Sequence, residues 1–270
     1  MNDHRGRDTR GVSDCGVEIV AHRGASSDAP ENTLAAVRMA WDQAADAVEI
    51  DIHLSADGYA VVIHDDTLKR TAGIDASVAD RTLRELQSCD VGRWKGPEWA
   101  GETIPSLGQV IETIPTGRRL FAEIKSGPQT IEAISRDLAL VADRPEAVVL
   151  LCFDVDVLAA AQRRFPQHSL LFGVEQKQSN DGDWQPGLDQ IIDTAILHAA
   201  TGVDLSWTPA IDARAVSQLK QAGLLTAVWT VNDPSEAHRV RDAEIQCITT
   251  DCPAVIRRAM LPGEHRASAR

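Results

Sequence analysis

Short β-branched runs alternate with helix-like runs along almost the whole chain, and this rhythm restricts the fold more than any other feature. Residues 17–21, 47–52, 120–124, 147–151, 169–172, 202–205, 224–229 and 245–248 read as strands. Amphipathic or helix-prone stretches lie near 30–44, 129–143, 154–165, 188–199, 211–222, 233–242 and 252–260. Asp57-Gly58 is a hairpin turn signal leading into an added strand at 59–64. With that hairpin set aside, eight βα units remain, and eight such units in about 250 residues predict an α/β fold of the closed (β/α)8 TIM-barrel type. An open doubly wound sheet is the alternative. No GxGxxG follows the first strand, which counts against a dinucleotide site.

The rhythm breaks at 66–105, which holds Gly73, Gly92, Gly96, Pro97 and Gly101 together with Trp94 and Trp99. This stretch reads as an insertion after the second strand, lying on the barrel as a cap. The barrel is expected to span 16–260, with loose tails at 1–15 and 261–270. The expected work of Trp94 and Trp99 is to pack the cap onto the barrel rather than to bind a head group.

Of 270 residues, 27 are Lys or Arg and 40 are Asp or Glu, a formal net charge of −13. Such a surface repels nucleic acid and anionic membrane on average, so an anionic substrate needs a local cation to reverse the field. There is no stretch of about 18 apolar residues and no apolar segment after the first methionine, so neither a membrane span nor a secretory signal is expected. Five scattered cysteines without a CxxC pair suit inert thiols in a reducing cytoplasm. Oligomeric state is not readable.

In a (β/α)8 barrel the chemistry lies at the C-terminal ends of the strands. Those ends carry His22-Arg23-Gly24, Glu49 and Asp51, His64-Asp65, Glu123 and Lys125, Trp229-Thr230-Val231-Asn232, and Thr249-Thr250-Asp251. Glu49 and Asp51, two apart in one strand, share a face, while Val48, Ile50 and Ile52 face the helices. Glu123 is a third inward carboxylate. Three carboxylates in a barrel interior repel one another unless something positive lies between them. A hard divalent cation such as Mg²⁺ or Ca²⁺ would resolve all three. A plain salt-bridge network with Arg23 and Lys125 is the alternative, and the lesser reading of Arg23 is as the structural counter-ion of Glu31 or Asp51. His22 and His64, each at a strand end, suit a general acid and a general base on two sides of one reacting centre. The absence of HxH or HExxH near them disfavours a zinc site. His53 shares the face of Glu49 and Asp51 but reads as a hydrogen-bonded rim residue rather than a ligand.

The ordered set Ala21-His22-Arg23-Gly24, Ala29-Pro30-Glu31-Asn32-Thr33-Leu34, Val48-Glu49-Ile50-Asp51-Ile52 and Val61-Val62-Ile63-His64-Asp65 continues through Leu68-Lys69-Arg70-Thr71 and Ile104-Pro105-Ser106-Leu107. It ends with Ala122-Glu123-Ile124-Lys125, Val228-Trp229-Thr230-Val231-Asn232 and Thr250-Asp251. This set resembles the glycerophosphodiester phosphodiesterase family of the phospholipase C-like barrels over about residues 18–258. A second His-Arg-Gly at 4–6 has no strand before it and reads as chance. The resemblance implies a metal-dependent hydrolase of glycerol and lipid metabolism that converts a small glycerophosphodiester to glycerol 3-phosphate and an alcohol. By position it implies His22 and His64 as the acid/base pair, Glu49, Asp51 and Glu123 as ligands of one Mg²⁺ or Ca²⁺, Arg23 and Lys125 on the phosphate, and Trp229 as a wall of the glycerol pocket. Two departures stand out. Cys152, before Phe153, replaces a frequent Ser and bears on pocket lining, and Ala72 follows Thr71 where a second Thr is common. A phosphate-binding barrel without catalysis and a lysophospholipase D remain alternatives. With 4% aromatics and no amphipathic anchor, the chain favours a deacylated substrate over a lysolipid.

Overall fold

A computed structural model describes residues 16–261. The expected tails at 1–15 and 261–270 lie outside the described residues apart from Leu261, as does the His-Arg-Gly copy at 4–6. The strands are β1 (Glu18–His22), β2 (Ala47–Leu54), β3 (Ala60–Val62), β4 (Arg119–Ile124), β5 (Val148–Cys152), β6 (Ser169–Val174), β7 (Lys177–Gln178), β8 (Trp184–Gln185), β9 (Gly202–Ser206), β10 (Leu225–Trp229) and β11 (Cys247–Thr250). The α-helices are α1 (Leu34–Asp42), α2 (Lys69–Ala72), α3 (Leu83–Leu86), α4 (Leu107–Ile111), α5 (Ile131–Leu138), α6 (Val155–Arg164), α7 (Leu188–Leu197), α8 (Ala213–Gln221), α9 (Pro234–Asp242) and α10 (Pro253–Met260).

Eight strands run parallel in the order β1-β11-β10-β9-β6-β5-β4-β2, and pairing of β1 with β2 closes the ring. Ring closure excludes the open doubly wound sheet. β3 adds antiparallel to β2, with Ile52 opposite Val62, as the Asp57-Gly58 turn predicts.

The parity of each strand decides what faces where. In β2, Val48, Ile50 and Ile52 join the apolar layer between sheet and helices, together with Leu120, Ala122 and Leu150. The barrel interior holds Val20, Ala47, Phe121, Val149, Leu151, Leu171, Ala227 and Cys247. Glu49 and Asp51, on the parity of Ala47, therefore face inward, and Asp51 stands in register with Glu123 of β4. Cys152 is a correction to the sequence reading. It belongs to the outer apolar layer, because its neighbours Leu151 and Phe153 take the inward parity and line the cavity.

The first helix starts later than its sequence pattern suggests. Asn32 sits in the left-handed region (φ 59°), and Thr33 is extended and caps the helix by accepting from the Ala36 N–H at 3.2 Å. Asp154, Asp212 and Asp233 cap α6, α8 and α9 in the same way. Gly24 (φ +83°) has no alternative residue: a Cβ there would lie 2.5 Å from the Ala36 carbonyl carbon. The β7–β8 hairpin carries no signal in the sequence, because its strands are only two residues each, too short for an alternation to register.

The stretch 66–105, the cap, carries α2, α3 and two 3-10 turns. Its apolar residues Leu68, Val78, Leu86, Val91 and Ile104 form a separate cluster with Val61 and Ile63. Trp94 donates from Nε1 to the Val91 carbonyl at 2.8 Å, and neither Trp94 nor Trp99 lines the cavities at the barrel mouth.

On the outside of the ring, Asp137 of α5 is half-buried against α4, where Gly108 leaves it space. Burial pushes its carboxyl up to about 6, against the pull of Arg136. A carboxyl raised above its unfolded value costs stability as pH climbs from about 4 to about 6. Asp137→Asn is therefore expected to stabilise the protein at pH 7.5 by about 1 kcal/mol after allowance for solvent screening, or roughly 2–4 °C in Tm, with no gain near pH 3.5. Paired thermal melts at the two pH values measure this, and an equal shift at both would refute the titration account.

Candidate active site

The C-terminal mouth of the barrel gathers the residues singled out by sequence. A cavity of about 400 Å³ is lined by His22, Arg23, Glu49, His64, Glu123, Lys125 and Trp229, among others. A second hollow of about 440 Å³ shares His22 and Arg23 with it and includes Asn232, Asp251 and Cys252.

Glu49, Asp51 and Glu123 offer one oxygen each, all within 4.8 Å of one another. The first two are buried, at 3% and 1% exposure. Arg23 lies 3.2 Å from Asp51 through Nε, and Lys125 lies 3.4 Å from Asp51 and 2.7 Å from Glu123. Asn32 donates from Nδ2 to Asp51 at 2.8 Å. The salt-bridge alternative thus holds for part of the cluster, since Arg23 also donates to Glu31 at 2.9 Å. It does not satisfy Glu49. The Arg23 backbone N–H, in the left-handed conformation (φ 57°), donates to Glu49 Oε2 at 3.0 Å. Glu49 Oε1 is buried and has no partner among the described residues. Three carboxylates against two shared cations leave a deficit of positive charge at that oxygen. Burial, then Asp51 and Glu123, push the Glu49 carboxyl well above the usual carboxylate range. Burial and Asp51 also raise Glu123. For Asp51 burial acts upward, but Arg23 and Lys125 outweigh it and hold the group low. An all-oxygen set with an orphaned inward atom fits a hard divalent cation.

The two histidines are built alike. His22 Nδ1 lies 2.7 Å from Asp251 Oδ1 and His64 Nδ1 lies 2.7 Å from Asp65 Oδ1. In each pair Nδ1 is the donor, because a carboxylate only accepts, and Nε2 has no hydrogen-bond partner among the described residues. Both imidazoles line the same cavity as Glu49 and Glu123. Burial acts to raise Asp251, yet hydrogen bonds from His22, Asn232 and Ser26 hold it at about 2. Asp65 is held below the usual range by Arg70, against burial. Burial lowers His64, with Arg23 and Lys125 acting in the same direction and Asp51 and Asp65 against it.

A profile of the glycerophosphoryl diester phosphodiesterase family matches residues 22–255. The chain belongs to this family. A glycerophosphodiester phosphodiesterase of Caldanaerobacter subterraneus is 32% identical over 244 residues, covering 88% of this chain and 95% of that one. The Bacillus subtilis protein YhdW is 45% identical over 113 residues, which covers 42% of this chain and 46% of that protein. Among solved structures, an Oleispira antarctica phosphodiesterase in complex with the product sn-glycerol 3-phosphate is 31% identical. It superposes with a TM-score of 0.80 over 90% of this chain and 96% of that one.

With a phosphodiesterase barrel established, the side chains that hold the named residues gain meaning, and sequence reasoning gave most of them no role. Arg70 of the cap forks onto two carboxylates. It donates to Asp65 from Nε and Nη2 at 2.7 and 2.9 Å, and to Glu31 from Nη1 and Nη2 at 2.8 and 2.9 Å. One guanidinium thereby fixes both the partner of His64 and the counter-ion of Arg23. Asn232 ties the β10 end to β11, donating to Asp251 and accepting from Thr250 and the Asp251 N–H. His53 is the rim residue expected: its Nε2 meets the His64 carbonyl at 2.9 Å, and its Nδ1 lies 3.1 Å from Ser126 Oγ. Trp229 lines the cavity, edge-to-face with Phe153 at 5.7 Å.

Proposed function

We propose that the chain hydrolyses small glycerophosphodiesters to glycerol 3-phosphate and an alcohol, using His22 and His64 as the acid/base pair beside one divalent cation. The observation that carries this reading is that two carboxylate-oriented imidazoles line one cavity with Glu49 and Glu123 of a three-carboxylate cluster that has an unpartnered oxygen. The product bound by the O. antarctica relative agrees with it.

Glu49, Asp51 and Glu123 would hold the cation, Mg²⁺ or Ca²⁺. When bound, it supplies positive charge that polarises the phosphoryl group and offsets charge developing on its oxygens. Arg23 and Lys125 lie beside the cluster and bind the remaining phosphate charge, Arg23 as a fork and Lys125 as a point charge. One imidazole removes a proton from the attacking oxygen as its bond to phosphorus forms. The other protonates the departing alkoxide as the phosphorus–oxygen ester bond breaks, and the pair exchanges one proton for one proton. The attacker is water, or the neighbouring glycerol hydroxyl followed by opening of a cyclic phosphate by water; both use the same two imidazoles. Trp229 walls the glycerol side. No helix among the described residues is long and apolar enough to cross a membrane. Cys89, Cys152, Cys247 and Cys252 are free thiols, which supports placing the enzyme in the cytoplasm.

The test is turnover of glycerophosphocholine, glycerophosphoethanolamine and a lysophosphatidylcholine, followed as release of glycerol 3-phosphate or its acylated form. The deacylated esters are expected to be favoured by about tenfold or more in kcat/KM. A preference for the lysolipid would move the reading to a lysophospholipase D. No release from any diester with any divalent cation would leave a binding barrel.

A further inference from the structure

The mechanism above leaves one buried ionisable group of the cavity unused. Asp204 of β9 lines the same cavity as Glu123, Lys125, Phe153 and Trp229. It is 4% exposed, and its Oδ1 is buried with no partner among the described residues. A carboxyl oxygen so placed costs free energy unless a ligand supplies what the protein does not.

The surroundings define what that ligand brings. In register with Asp204 stand Gly173 of β6 and Ala227 of β10, so the two side positions level with the carboxyl carry no polar partner for it. Gly173 is required by the Phe153 ring, because a Cβ there would lie 2.5 Å from ring atoms. The Trp229 indole is anchored to Asp204 itself, its Nε1 donating to the Asp204 carbonyl at 3.4 Å. One residue thus presents a hydrogen-bonding carboxyl and holds an aromatic wall beside it. A polyol carries both matching surfaces, C–H bonds for the ring and hydroxyls for the carboxyl. Burial favours the neutral acid at Asp204. A hydroxyl can donate to a carboxylate or accept from a carboxylic acid, whereas an ammonium head group suits only the ionised form. Arg23 and Lys125 already occupy the phosphate end.

We infer that Asp204 is a specificity residue that hydrogen-bonds a free hydroxyl of the glycerol moiety, with Trp229 against its carbon face, so that the site selects glycerol phosphates over phosphate esters lacking that hydroxyl. This rests on the proposed function and deepens it. An acylated or deoxygenated glycerol would leave the carboxyl buried and unpaired, and that penalty is the source of the selection.

The test reads ligand affinity rather than turnover. Binding of sn-glycerol 3-phosphate and of propyl phosphate, which lacks both hydroxyls, is measured by calorimetry in the presence of Mg²⁺ or Ca²⁺. The full chain is compared with Asp204→Ala and Asp204→Leu. The parent is expected to prefer glycerol 3-phosphate by about 10- to 100-fold. Both variants are expected to lose that preference to within about threefold while binding propyl phosphate as the parent does. They are also expected to melt at or above the parent temperature, since an unpartnered buried carboxyl is removed. If Asp204 only supports the barrel, the variants melt lower and weaken both ligands equally, which overturns the inference. An unchanged preference in the folded variants overturns it as well. A parent that binds neither ester fails the functional reading and this inference with it, and only that outcome is accompanied by an absence of diester turnover.

Discussion

Chelation of divalent cations is expected to abolish hydrolysis, by about 10³-fold or more, and added Mg²⁺ or Ca²⁺ to restore it. Glu49→Gln should produce the same loss without rescue, because it removes the charge of the carboxylate whose Oε1 has no protein partner. The same substitution should have the opposite effect on stability. In cation-free protein Glu49 is a buried carboxyl crowded by Asp51 and Glu123, and burial raises its folded pKa far above the unfolded value. The sign follows from linkage: a raised carboxyl destabilises the fold progressively as pH climbs from the usual carboxylate range toward the raised value. Glu49→Gln lacks that titration, so its cation-free melting temperature should exceed that of the parent by an amount that grows with pH, about 1–3 kcal/mol at the plateau. Cation binding needs the same carboxylates deprotonated, so the stabilisation conferred on the parent by Mg²⁺ or Ca²⁺ should grow over the same window and be absent in Glu49→Gln. Melts across pH with and without cation, alongside turnover, separate this account from a salt-bridge network. In such a network the variant would be less stable than the parent, chelator would leave activity unchanged, and no divalent cation would raise the melting temperature.

The contrast between Glu49 and Asp51 shows what a sequence can and cannot disclose about such a site. The alternation of apolar and acidic residues in β2 sets which side chains face inward, and the match to known motifs put His22, Glu49, Asp51, His64, Glu123 and Lys125 at one mouth, where the structure places them. Strand parity is a local property with period two, and closure of a parallel ring follows from counting units. What stayed hidden is non-local. His22 meets Asp251 across 229 positions of sequence, because closing the barrel sets β11 beside β1. Arg70 reaches Glu31 across 39 positions from a cap whose irregular turns carry no periodic signal. Asp204 is one acidic residue in a short apolar strand; its isolation depends on Gly173 and Ala227 in flanking strands, which no pattern within β9 reports. Cys152 departs from its expected place in the pocket lining for a related reason. A motif position next to the pocket in sequence is turned away from it by strand parity.

Loss of either imidazole is expected to reduce kcat by about 10²–10⁴-fold, and the choice of leaving group will tell the two apart. His22→Ala and His64→Ala remove groups that the fold treats alike, each with Nδ1 bound to a carboxylate at 2.7 Å and each lining the same cavity. Geometry therefore does not divide their labour, but chemistry can. The imidazole acting as general acid is needed in proportion to the basicity of the departing alkoxide. With a glycerol phosphate ester of p-nitrophenol, whose anion leaves without protonation, the variant lacking the acid should recover most of its lost rate. The variant lacking the base should remain impaired, since the attacking oxygen still needs its proton removed. The double variant should fall little below the worse single one, because two groups acting in one transition state are not additive. Asp251→Asn and Asp65→Asn should follow the histidine each supports with a smaller loss, about 10- to 100-fold, as expected for a partner that only fixes tautomer and orientation. Steady-state kinetics on the choline and nitrophenyl esters measures all of this. If both single variants retained near-parent kcat on the choline ester, the paired-imidazole mechanism would fail. Equal losses on both esters for both variants would show instead that the two rings position the substrate rather than move protons, since a positioning role is indifferent to the acidity of the alcohol released.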